Sequence, residues 1–78
     1  MPAEELRKML MQQPFAPFRI HLSDGRVFDV RHREMVWVGH SVALVGLFAL
    51  DGYLDRSEMI ALAHIVSLEP IHAASSAG

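Results

Sequence analysis

The sequence predicts a mainly β (α+β) domain, a short N-terminal helix followed by five antiparallel strands bent strongly around one core. Three observations carry that expectation. Residues 17–30, PFRIHLSDGRVFDV, alternate apolar and polar positions on either side of an Asp-Gly pair, which is the pattern of a hairpin with one buried face. Residues 35–47, MVWVGHSVALVGL, hold two further apolar runs around a short polar break. Pro14 and Pro17 separate these strands from the one stretch near the N-terminus with helical spacing.

That stretch covers residues 3–12. Leu6, Met9 and Leu10 fall three and four apart among Glu4, Glu5, Arg7 and Lys8, so one face is apolar. Pro2 suits the first turn, the two glutamates suit its positive end, and Pro14 stops it. A helix this short is marginal in water and must dock. Next, Pro14 and Pro17 hold the chain extended with Phe15 and Phe18 placed to plug the end of a sheet.

The hairpin has two possible registers. A two-residue loop at Asp24 and Gly25 sets Ile20 against Asp29 and Phe18 against Arg31. A three-residue loop, with Gly25 left-handed in a bulge, pairs Ile20 with Phe28 and Phe18 with Val30. The second is expected, because a one-residue slip exposes the whole apolar row. Strands are thus placed at about 18–23 and 26–38, the latter bending at the polar run Arg31 to Glu34. After a turn at Gly39 and His40 the next strand covers 41–48, pairing Trp37 with Val42, Met35 with Leu44 and Val36 with Ala43. Both faces of that hairpin are apolar, which calls for a second layer or a subunit contact. Residues 49–55, with Asp51 and Gly52, read as a surface loop. Between 58 and 69, Met59, Ala61, Leu62 and Ala63 favour helix and Ile60, Ile65 and Val66 favour strand, while the even positions from Ile60 to Leu68 are apolar apart from His64, as in a strand. Strands at 58–62 and 65–69 with a corner at Ala63 and His64 are the choice. Pro70 ends the domain, taken as 1–70, and 71–78 is expected to be a disordered tail.

Composition narrows the function. Seventy-eight residues make one domain, yet 51% are hydrophobic and none is cysteine. A small core cannot hide that much apolar surface, and no disulfide or thiolate-metal staple is available, so a homo-oligomer is expected. A cysteine-free chain, without a signal-peptide core or an apolar run of membrane-span length, points to a cytoplasmic protein with no membrane partner. The formal net charge of −2 with scattered basic residues offers phosphate no overall attraction.

The order of elements resembles the Sm-like small β-barrel, an SH3-like fold. The resemblance rests on Ile20-x-Leu22-x-x-Gly25-x-x-Phe28 and Ile60-x-x-x-x-Ile65-Val66-x-Leu68, and it covers residues 18–69. PFxPFRIxLSDGR is similar also to a group of short uncharacterised bacterial proteins, which implies a shared fold and no known activity. The Sm-like resemblance implies a ring closed by pairing the last two strands of neighbouring copies, with Met59, Ile60, Leu62, Ile65, Val66 and Leu68 as the interface. It also implies single-stranded RNA as a partner at the pore-side loops, where His40, Ser41 and His64 are the matching positions. The family's second-strand glycine, its Asp and Asn before the third strand and its last-loop Arg-Gly have no counterparts here.

Catalytic and metal chemistry find little support. The five histidines, His21, His32, His40, His64 and His72, match no ligand spacing. Serines lack a nucleophile elbow, the carboxylates form no evident pair and there is no phosphate-binding glycine loop. Arg19, His21 and Arg31 form a candidate anion patch with acidic neighbours. No cofactor is expected. The reading is a non-catalytic binding module that self-associates or takes a protein partner, with RNA binding as the alternative.

Overall fold

The computed structural model describes residues 3–71. The elements are α1 (Ala3–Leu10), β1 (Phe18–Leu22), β2 (Val27–Val30), a 3-10 turn at Arg33–Met35, β3 (Val36–Val38), β4 (Val42–Phe48), β5 (Leu54–Ala61), a second 3-10 turn at Leu62–His64, and β6 (Ile65–Pro70). They form two antiparallel sheets ordered β2-β1-β6 and β3-β4-β5. The domain is therefore mainly β with one short helix. Among the described residues the five expected strands become six, because the Arg33–Met35 turn cuts the second in two, and the hydrogen bonding does not close the sheets into a barrel.

The β1-β2 hairpin has the register that the alternation favours, with Phe18 opposite Val30 and Ile20 opposite Phe28. Leu22 N–H donates to the Arg26 carbonyl at 3.0 Å, and Gly25 N–H to the Leu22 carbonyl at 3.0 Å. Gly25 sits at φ +92°, a conformation that a side chain would disfavour. The β3-β4 hairpin turns one residue later than expected, at His40 and Ser41. Gly39 N–H donates to the Val42 carbonyl at 2.7 Å, and Trp37 pairs with Leu44 and Val36 with Val45. Partners move by two, so every side chain keeps the face it was assigned.

Two boundaries also differ from expectation. β5 begins at Leu54, not near residue 58, because Leu54 and Arg56 pair with Phe48 and Leu47, and the surface loop contracts to 49–53. Leu62 belongs to the corner and not to a strand. Ile71 N–H donates to the Pro17 carbonyl at 3.0 Å; the rest of the expected tail, His72 included, lies outside the described residues.

One core joins both sheets. Phe18, Ile20 and Val30 from the first meet Val45 and Ile60 from the second, and Leu6 and Leu10 of α1 lie against the same cluster. The linker reaches this core through Phe15, whose ring is 6.2 Å from that of Phe18. Arg33 fixes the junction. Its guanidinium donates to the carbonyls of Leu10 and Gln12 and lies 5.6 Å from the Phe15 ring centroid, capping the negative end of α1.

Candidate binding surfaces

The residues assigned to a pore-side group come from two different turns that the backbone holds together. Leu62 N–H donates to the Ser41 carbonyl at 2.9 Å, and Ser23 N–H donates to the His64 carbonyl at 2.8 Å. His40, Ser41 and His64 are all exposed at this end of the molecule.

The candidate anion patch, by contrast, is occupied by the chain's own carboxylates. Arg19 Nε donates to Asp29 Oδ1 at 2.7 Å across the β1-β2 ladder, and Nη1 of the same guanidinium comes within 3.9 Å of Glu69 Oε1 on β6. His21 Nε2 lies 2.8 Å from Glu69 Oε1, and Arg31 is 3.5 Å from Asp29. The hydrogen bond from Arg19 holds the Asp29 carboxyl below the usual carboxylate range, and the one with His21 does the same for Glu69. Two arginines and two carboxylates leave little net field for an external anion.

Of the six positions assigned to an oligomer interface, Ile60, Leu62 and Ile65 are buried in the chain's own core. Their side chains are not available to another copy. Met59 and Val66 are exposed and Leu68 is half-buried. Met59 closes a cross-strand row, Trp37 to Leu44 to Met59, on the outward face of the second sheet. Trp37 is 55% exposed and Met59 67%, whereas alternate residues such as Ala43 and Ile60 point inward. The two-sided apolar hairpin of the sequence thus presents one apolar face to solvent.

Sequence reasoning missed two further features. The first is a cleft of about 670 Å³ where the sheets part. β3 pairs with β4 only as far as Val45, so the far half of β4 has no ladder partner on that side and a gap opens towards β2. Val27, Phe28, Met35, Leu47 and Phe48 supply apolar walls, and Asp29, Arg31, His32 and Glu34 supply polar groups, with Arg31 3.5 Å from Asp29. The signal for it was the polar interruption at Arg31 to Glu34, which reads equally well as a simple bend.

The second is the tip of the β4-β5 hairpin, which repeats the construction of the β1-β2 turn. Ala49 N–H donates to the Tyr53 carbonyl at 2.9 Å and Gly52 N–H to the Ala49 carbonyl at 3.0 Å, as Leu22, Arg26 and Gly25 do in the first turn. In each turn the aspartate accepts from the backbone N–H two residues on, Asp24 from Arg26 at 3.0 Å and Asp51 from Tyr53 at 3.1 Å. Gly52 sits at φ +90°. The backbone hydrogen bond from Arg26 holds Asp24 below the usual carboxylate range.

The chain matches no family model, no curated protein and no solved structure. Among the described residues no group of three His, Cys, Asp or Glu comes together to hold a metal ion, and no helix is long and apolar enough to cross a membrane.

Proposed function

We propose that this protein is a non-catalytic binding module that works as an assembly of its own copies, built on a split variant of the Sm-like plan. The observation that carries the proposal is the apolar surface left outside a complete core. Trp37, Val42 and Met59 are exposed on one sheet face and Phe48, Leu50, Tyr53 and Leu54 at the β4-β5 tip, while Phe18, Ile20, Val30, Val45 and Ile60 already fill the interior. Contiguous apolar surface of this kind marks a contact site more often than a bare monomer surface. The Sm-like plan is supported by the order of elements, in which the final strand turns through a 3-10 corner and returns to pair with the first. Sedimentation equilibrium of the full chain tests assembly: a discrete oligomer is expected, and a monomer persisting to submillimolar concentration would refute it.

The second reading is binding of single-stranded RNA, favoured by the hydrogen bonds that draw together the turns bearing His40, Ser41 and His64. Imidazoles stack on bases and contact phosphate. Titration with short oligouridine and oligoadenine at two salt concentrations tests it, and failure on both strands removes it.

A further inference from the structure

The two Asp-Gly turns form an internal comparison. The backbone bonds that close them, the aspartate's bond to the backbone and the glycine conformations are the same, yet the first carries Ser23 and Arg26 where the second carries Leu50 and Tyr53. Turn formation therefore asks for neither apolar side chain. Leu50 is fully exposed and Tyr53 is 77% exposed, with Phe48 and Leu54 exposed beside them. Burial does not explain these residues, since none of the four lies in the core.

The cleft lies next to this tip, and Phe48 and Gly52 belong to both. We infer that the β4-β5 tip of one copy docks into the cleft of a second copy, and that the second copy's tip docks back. The inference rests on the self-association proposed above and names the surface through which it occurs. Two observations point to a second copy as the occupant. Tip and cleft share residues, so one two-fold axis beside Phe48 lets both contacts form together. The apolar side chains at the tip and on β2 expose on the order of 600 Å² per copy, so that their full burial in a two-fold pair reaches the lower bound of specific interfaces.

The test uses the full chain and a variant that gives the second turn the chemistry of the first, Leu50→Ser with Tyr53→Arg. Its Asp51 and Gly52 are intact, so a native-like circular dichroism spectrum with a cooperative melt verifies folding, the midpoint falling only by what the lost association contributed. The native chain is expected to sediment as a dimer and the variant as a monomer, with the dimer constant weakened at least tenfold. Because the chain has no cysteine, Leu50→Cys and Val27→Cys chains mixed and treated with a short bismaleimide should link to each other more than either links to itself. A variant that still dimerises, or linkage confined to Leu50→Cys with itself, or no linkage at all in a dimeric protein, overturns tip-in-cleft docking and leaves self-association standing. A monomeric native chain overturns both.

Discussion

Arg33 illustrates how much one side chain holds in a domain this small. It satisfies two carbonyls at the end of α1 and covers Phe15, and neither role is visible in its neighbours Arg31, His32 and Glu34. Arg33→Met should cost about 1.5 kcal/mol by urea denaturation, the low end for hydrogen bonds from a charged group. A change within experimental error would mean that α1 docks through Leu6 and Leu10 alone. Asp29 and Glu69 make a second prediction at this scale. Their carboxyls are held below the usual range, so they stabilise the fold above the unfolded carboxylate values. That contribution is lost as pH falls through the lower folded values, and the melting temperature should drop below about pH 4. Asp29→Asn should remove part of the acid-side slope; a curve parallel to the native one would exclude the Arg19 pair as a source.

At the scale of elements, the turns give the sharpest expectation. Nothing lies within 4 Å of a Cβ built on Gly25 or Gly52, and both have φ near +90°. Gly25→Ala and Gly52→Ala should thus each cost about 1 kcal/mol through backbone conformation alone, and unequal costs in denaturant titrations would show that the turns are not equivalent. The first hairpin was legible in the sequence because alternation and the Asp-Gly bulge agree on one register. The second was legible only in its faces: turns at Gly39-His40 and His40-Ser41 leave Val36, Ala43 and Val45 on the same side, so burial cannot choose between them. The start of β5 left no trace at all. Leu54, Asp55, Arg56 and Ser57 are exposed whichever way they point, and only pairing with β4 makes them a strand. The cleft was equally hidden, since a polar run does not say whether a strand bends or breaks.

For the whole molecule, the single core shared by both sheets ties their stabilities together. Ile60, 1% exposed and opposite Ala43, should cost about 3 kcal/mol when cut to alanine, a large part of what a small domain has in reserve. Its neighbour Met59 faces outward, and Met59→Ala should change stability by less than about 0.5 kcal/mol. Chemical denaturation of the two variants checks the division between inward and outward rows. The shared wiring of the two reversals carries a separate consequence. Since what the two loops share is their backbone bonds, an aspartate and a glycine, the side chains that flank this pair in the second loop can vary without redrawing the frame. On the docking inferred for the tip, a chain made this way acquires or discards an adhesive end by changing two codons, keeping its architecture while its company changes.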